Sequence, residues 1–265
     1  CALPISERIM NLYEAIYARR SVRNYRMEPL DDTILKGIPD FLNEVEPLFP
    51  DIRTEIRIVN RCTEKEKIGG FCNVKAPYYV ALYSESKEKS DMNAGFLMEQ
   101  LSLYLETRGI GSCFVGMAKR RDKELEAEGL SLKIVLAFGF PKETDRNRDR
   151  EPKRIAMDDL CVYKEQPKAW VKEMLEAARL APSSTNSQPW RFVVYENRIH
   201  VFSKKPLNEK SLFNPFTELN FGIMLANVMV AAEEVWVDLD LIKLNNITHK
   251  SIPNNQYVIS ILLKP

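Results

Sequence analysis

Two segments of this chain repeat one pattern, and the repetition constrains the fold more than any single motif. NAGFLMEQLSLYLETRGIGSCFV, residues 93–115, is a long apolar-periodic run leading into a strand-like stretch, and NFGIMLANVMVAAEEVWVDL, residues 220–239, is another. Each is followed by a later apolar strand, KIVLAFGFP at 133–141 and QYVISILLKP at 256–265. Self-similarity on that scale reads as an old duplication. The two halves are therefore expected to share one architecture.

The other periodicities fill in that architecture. NLYEAIYARR reads as a helix, with Leu12, Tyr13 and Ile16 on one stripe and Arg19–Arg20 in the last turn. Pro29 is expected to open a second helix over residues 29–42, with Asp31 and Asp32 in its first turn. TEIRIVN and APYYVALYS read as strands. A helix from Asp91 to Arg108 should end on Gly109 as a left-handed cap, and ETDRNRDREPKR is a charge-rich loop. Past Gln166, AWVKEMLEAARL reads as a helix and RFVVYENRIHVFS as a hairpin turning at Glu196–Asn197. NPFTELNFGIMLANVMVAAEEV is a long helix, and VWVDLDLI and QYVISILLK are strands. Strands do not alternate strictly with helices, which favours an α+β layer architecture over a doubly wound sheet. No G-x-G-x-x-G follows a strand, and no G-x-x-x-x-G-K-[ST] is present.

Charge and cysteine usage narrow the partners. A net charge of +1 over 265 residues gives no global field to recruit nucleic acid or an anionic membrane, so any anion site must be local. The five cysteines are scattered without a C-x-x-C pair, and there are only two histidines, His200 and His249, so no metal site is expected. An odd cysteine count points to reduced thiols and a cytoplasmic protein. No apolar run reaches the ~20 residues that span a bilayer. CALPISERI, ahead of Met10, is too short and polar for a signal peptide, and Met10 is an alternative start. The expected division is an extension over 1–9, one lobe over 10–165 and another over 166–265.

Three constellations carry chemistry. RRSVRNY, residues 19–25, brings Arg19, Arg20 and Arg23 together with Ser21, a set suited to a phosphate dianion through forked guanidinium donors. From spacing alone, solvated cations at a helix C-terminus are the better reading. APSSTNSQPW, residues 181–190, offers Ser183, Ser184, Thr185, Asn186 and Gln188 as mixed donors and acceptors, a lining for the edge of a planar polar ring. Helix punctuation around Pro182 and Pro189 is the alternative. RGIGSCFVG, residues 108–116, has small residues that let backbone amides approach a flat ligand. Cys113 reads there as a small buried residue rather than a nucleophile.

Taken together, RRSVRNY, APSSTNSQPWRFVV and GIGSCFVG resemble the three flavin-contacting segments of the nitroreductase family, FMN-dependent NAD(P)H oxidoreductases of α+β fold. AFGFP and EPKRIAMDDL resemble that family's closing strand and basic C-terminal segment. The resemblance implies that Arg19, Arg20, Ser21 and Arg23 hold the FMN phosphate and ribityl chain, with Lys153 and Arg154 adding charge. It implies that Pro182, Ser183, Ser184 and Asn186 line the ring, Asn186 at its pyrimidine edge. Val115 and Gly116 would offer amides near the ring's reactive nitrogen, while Gln188 and Trp190 support the loop. Arg23, or a lysine between Lys67 and Lys75, would stabilise the reduced ring.

In the ordinary family member a shorter chain carries both the R-R-S and the A-P-S-S segments, and two chains complete each other's sites. Here the first half has R-R-S but no A-P-S-S-x-N, and the second half has the converse. The chain therefore resembles the subgroup of two-lobed nitroreductases: a pseudo-dimer with one FMN site, and a monomer or weak homodimer. The implied function is ping-pong transfer from NADH or NADPH through FMN to a nitroaromatic, quinone or similar acceptor, with no catalytic side chain. The alternatives are flavin storage without turnover, or dehalogenation or flavin breakdown on the same fold. A further one is a non-flavin interaction domain.

Overall fold

Asn11 starts the first helix, α1 (Leu12–Ala18), with a reciprocal cap: its Oδ1 accepts from the Glu14 amide at 2.8 Å while Glu14 accepts from the Asn11 amide at 3.1 Å. The helix stops at Ala18, so Arg19 and Arg20 lie beyond it rather than in its last turn. α2 (Asp32–Glu44) begins later than Pro29 because Asp31, bonded to the Thr33 amide at 2.8 Å, is its N-cap. The computed structural model describes residues 10–70, 74–145, 151–204, 216–249 and 256–264. The 1–9 extension, Cys72 and the middle of the charge-rich loop lie outside the described residues.

Two sheets with the same winding follow. In the first half come β1 (Thr54–Asn60), β2 (Gly69–Gly70), β3 (Tyr78–Glu85), α3 (Ser90–Glu106), β4 (Gly111–Val115), β5 (Ala118–Lys119), α4 (Lys123–Ala127) and β6 (Leu130–Gly139). A connection through α5 (Met157–Leu160) and β7 (Cys161–Tyr163) leads to the second half. There stand α6 (Ala169–Leu180), β8 (Trp190–Val194), β9 (Arg198–Ser203), α7 (Thr217–Glu234), β10 (Asp238–Ile242) and β11 (Gln256–Lys264). The first sheet is ordered β1-β3-β6-β4 and the second β8-β9-β11-β10, all antiparallel, with β7 added in parallel beside β8. Element for element, α2, β1, β3, α3, β4 and β6 correspond to α6, β8, β9, α7, β10 and β11. The architecture is α+β in two related lobes, and β7 carries the chain from one sheet into the other.

The main hydrophobic core runs through both lobes. α3 and α7 pack on each other along the middle of the molecule, and both are buried on nearly every side, as expected of helices apolar all round. They touch where the repeat places a glycine in each: a Cβ on Gly95 would lie 2.1 Å from the Leu219 carbonyl oxygen, and one on Gly222 would lie 1.9 Å from that of Met92. Two residues earlier in each helix stands a buried asparagine. Asn93 accepts from the Phe49 amide at 3.2 Å and Asn220 from the Ser184 amide at 2.9 Å. The segment after α2 and the APSS loop after α6 are thus each held by the long helix of their own lobe through equivalent bonds.

The symmetry breaks after the two long helices. Gly109 has φ +69° and ends α3 as a left-handed cap, its amide bonded to the Glu106 carbonyl at 2.9 Å. The corresponding position after α7 is Trp236, with φ +57° and 92% of its surface exposed. An L-residue in that conformation carries about 1 kcal/mol of strain, partly offset in Trp236→Gly by the greater freedom of the unfolded glycine. We expect Trp236→Gly to raise the thermal midpoint by about 1–2 °C, read by differential scanning calorimetry. A lower midpoint would mean that the exposed ring makes contacts the fold depends on.

Candidate functional site

The R-R-S segment leaves α1 as extended chain pinned to the first sheet. The Val22 amide donates to the Ser112 carbonyl at 3.0 Å, and Tyr25 Oη donates to the Val22 carbonyl at 2.6 Å. Asp145, 1% exposed, accepts from the Arg23 amide at 2.8 Å and the Asn24 amide at 3.3 Å. Nothing in the sequence distinguishes Asp145 from its charged neighbours, because its partners are backbone amides far away in the chain. Arg20 reaches back to the Tyr17 carbonyl at 2.7 Å and so also closes the end of α1.

The APSS loop enters from the other lobe in a constrained conformation. After α6 it makes one 3-10 turn at Ser184–Asn186, and Thr185, Asn186 and Gln188 have φ of 52°, 55° and 43°. Three non-glycine residues with positive φ in so short a stretch are costly, and persist only where surrounding bonds over-determine them. Asn220 supplies two of those bonds, accepting from the Ser184 amide and donating to Ser184 Oγ at 3.0 Å. Ser183 Oγ accepts from the Gln188 amide at 3.0 Å. On the far side, Asn186 Nδ2 donates to the Lys153 carbonyl at 2.9 Å and Gln188 Oε1 accepts from the Ile155 amide at 2.9 Å.

Where the two segments meet they enclose a cleft of two compartments. The apolar one, of about 620 Å³, is walled by Phe114, Met117, Phe216, Leu219 and Ile223. The basic one, of about 420 Å³, is lined by Arg19, Arg20, Lys153 and Arg154. Ser21, Arg23, Pro182, Ser183 and Thr185 line both, so the two are continuous.

A buried charge cluster floors the basic compartment. Glu99, on α3 and 0% exposed, lies 3.4 Å from Arg19 Nε, and neither of its carboxylate oxygens is hydrogen-bonded. Burial pushes the Glu99 carboxyl up to about 7, against the opposing pull of Arg19 and Arg154. Burial, and then repulsion from Arg19, brings the Arg154 guanidinium down to about 10. Arg154 donates to the Leu180 carbonyl at 2.8 Å and to Asn186 Oδ1 at 3.2 Å. Arg19 Nη1 and Arg154 Nε are buried without a hydrogen-bond partner. Unpaired buried donors of this kind are costly unless a ligand completes them.

Most residues singled out in the sequence converge on this cleft. Arg19, Arg20, Lys153, Arg154 and Asn186 line the basic compartment, Gly116 and Ser184 the apolar one, and Ser21, Arg23, Pro182 and Ser183 both. Val115 lines neither compartment. Asn186 stands at the basic end, its side chain engaged by Arg154 and the Lys153 carbonyl. Trp190 is fully buried behind the loop and Gln188 bonds beneath it, as support. Glu99, Asn220 and Phe216 were not legible as site residues. Asn220 had the one available signal, since Asn93 repeats it in the other half.

A second polar cluster has no such chemistry. His200 Nδ1 lies 2.6 Å from Ser260 Oγ, itself 2.6 Å from Tyr257 Oη. Arg198 Nε donates to His200 Nε2 at 3.3 Å, which leaves Nδ1–H to donate to the serine. That serine, fully buried, is an acceptor and not an activated nucleophile. Among the described residues no His, Cys, Asp and Glu group could hold a metal ion, and no helix is long and apolar enough to cross a membrane.

The family described as Putative TM nitroreductase matches residues 11–232. No curated protein matches the chain in sequence. Among solved structures, a putative nitroreductase of Thermotoga maritima MSB8 is similar over 100% of both chains, at 19% identity and a TM-score of 0.67. That likeness is one of fold. An FMN and NADPH-dependent nitroreductase of Sphigopyxis sp. strain HMH aligns with 59% of this chain and 100% of its own, at 14% identity and a TM-score of 0.45. A nitroreductase with bound FMN from Bacteroides fragilis NCTC 9343 aligns with 54% and 95%, at 19% identity and a TM-score of 0.43.

Proposed function

The chain belongs to the Putative TM nitroreductase family, and from that premise we propose that it binds one FMN per chain in the two-compartment cleft and acts as an FMN-dependent oxidoreductase. The observation that carries the reading is that Arg19 and Arg154, each with a buried guanidinium nitrogen lacking a hydrogen-bond partner, line a basic compartment that opens into an apolar one. A phosphate monoester on a flat heteroaromatic ring fits that division, because forked guanidiniums favour phosphate and apolar walls favour the ring. Bound there, FMN supplies hydride acceptance from a nicotinamide and electron delivery to an electron-poor acceptor, and the protein supplies position and electrostatics.

Each residue then has a task. Arg19, Arg20, Lys153 and Arg154 neutralise the phosphate, and Ser21 and Ser183 stand at the junction for the linking chain. Asn186 holds Arg154 and the Lys153 backbone in place rather than reading the ring. Arg23, which reaches both compartments, supplies positive charge beside the reduced ring. Phe114, Met117, Phe216 and Ile223 exclude water from the face where NADH or NADPH and the acceptor take turns.

The lobes over 10–165 and 166–265 act as the two halves of a dimer fused into one chain, which frees the site from dependence on protein concentration. What stands at the equivalent positions of the second site supports one site per chain. At the position equivalent to Gly116 stands Lys243, whose Nζ donates to the Val258 carbonyl at 2.7 Å and lies over the Tyr257 ring. At the position equivalent to Phe216 stands Lys89, bonded to Glu218 at 3.0 Å.

The test is the absorption spectrum and flavin content of the purified full chain, with NADH or NADPH then added anaerobically. The expected result is a yellow protein carrying one FMN, bleached by one of the two nucleotides and restored by a quinone. A colourless chain that does not take up added FMN overturns the reading. A content of two overturns the single site, and a yellow protein that neither nucleotide bleaches overturns the nicotinamide-linked reaction.

A further inference from the structure

Glu99 is a carboxylate where the fold has no need of one. It is fully buried in α3, without a hydrogen bond to either oxygen; it lies 3.4 Å from Arg19 and feels the charge of Arg154, and both arginines line the basic compartment. The corresponding position on α7 is Ala226, equally buried, so helix packing alone does not require a charge there. The buried residues that α1, α6 and α7 contribute include no titratable group. The sheet face against α3 offers Tyr78, which accepts from the Leu30 amide at 3.3 Å. Asp91, paired with Lys133, lies two turns away at the N-terminal end of α3. Arg20 and Arg179 act on Arg154, one step removed. Glu99 therefore answers to Arg19 and Arg154.

We propose that Glu99 positions Arg19 and Arg154 for a phosphate dianion and takes up one proton when that dianion binds, which couples FMN binding to proton uptake. This rests on the FMN reading above. In the free protein the ionised carboxylate, itself wholly buried, balances the charge of the two guanidiniums. A bound dianion competes for the same cations, and two like charges beside the same pair of cations cannot both stay ionised cheaply. The carboxylate becomes the neutral acid, the proton coming from solvent, and both guanidiniums turn to the phosphate. The free carboxyl titrates at about 7, so the exchange falls in the neutral range.

The experiment measures FMN affinity of the full chain by quenching of flavin fluorescence from about pH 7 to 9, above the phosphate's own second ionisation near 6. The dissociation constant of the native chain should rise toward about tenfold per pH unit. Glu99→Gln should bind FMN with a flat profile and tighter than the native chain at the alkaline end. A purely structural role would instead weaken binding equally at every pH. Proton uptake is read independently on the native chain by titrating FMN into lightly buffered solution with an indicator dye. Close to one proton per FMN is expected near pH 8, and none with riboflavin, which lacks the phosphate. FMN binding with a flat profile and no uptake overturns the coupling and leaves the FMN site standing. No FMN binding at any pH overturns both.

Discussion

Gly222→Ala should destabilise the protein by about 3–5 kcal/mol, lowering the thermal midpoint by roughly 10 °C, although it adds one methyl group. The methyl would lie 1.9 Å from the Met92 carbonyl oxygen and 2.8 Å from the Phe96 amide nitrogen. These are backbone atoms of α3, which cannot swing aside as a flexible side chain can. Relief requires α3 and α7 to separate by more than an ångström, and both helices lie in the core common to the two sheets. Separation would also move Asn220, which anchors the constrained APSS loop, so any FMN affinity left in the variant should fall as well. Gly95→Ala should behave alike, its methyl falling 2.1 Å from the Leu219 oxygen. Calorimetry of the two variants decides the point. A midpoint within a degree or two of the native one would mean that the helix crossing is not as close as described.

That crossing marks the boundary of what the sequence discloses. The long helix followed by strands was legible twice, because apolar periodicity is local, and Gly109 was legible as a cap because left-handed residues favour glycine. The structure brings the R-R-S and A-P-S-S segments to one cleft, and the sequence already placed them in different halves, since each half lacks the motif that the other carries. The helix starts were less so: Pro29 suggested one, but Asp31 sets it through a bond to Thr33. The glycines at the crossing stand in N-x-G triplets within helices, where local rules read only a weakened helix. Their purpose is a contact with a segment far away in the chain. Asp145 and Glu99 are opaque for the same reason, since a lone acid shows nothing of its partners until the backbone is placed. The resemblance implied Asn186 as a ring ligand, and in the structure its side chain is engaged by Arg154 and the Lys153 carbonyl, partners that the sequence did not show.

The second large effect is expected from Arg19→Ala, and its size should depend on pH. Arg19 is the nearer of two cations facing a carboxylate that is 0% exposed. Removing one partner of a buried pair leaves an uncompensated charge, which costs about 3–5 kcal/mol if the charge remains. Glu99 can escape by keeping its proton. A carboxyl whose folded value is raised, here to about 7 from 4.5, stabilises the fold fully below the unfolded value. That contribution is lost as pH rises through the folded value, where the native carboxylate ionises beside Arg19. Without Arg19 the folded value climbs further and the loss continues, adding about 1.4 kcal/mol per pH unit above neutrality. Arg19→Ala should therefore cost little beyond lost packing near pH 6 and about 3 kcal/mol more than that near pH 9. Denaturant unfolding at several pH values reads the slope. FMN affinity should fall about ten- to a hundredfold at neutral pH, the worth of a charged hydrogen bond to phosphate, and the deficit should narrow toward pH 9, where Glu99 is ionised in the native chain but still protonated in the variant. Arg19→Ala combined with Glu99→Gln separates the two effects. The double variant should regain the alkaline stability and flatten the slope, because no buried charge is left, yet it should still bind FMN weakly, because the guanidinium is gone. If the double variant unfolds as readily as Arg19→Ala at alkaline pH, Glu99 is not the source of the instability. Recovery of FMN affinity along with stability would place the phosphate on Arg154 and Lys153 alone.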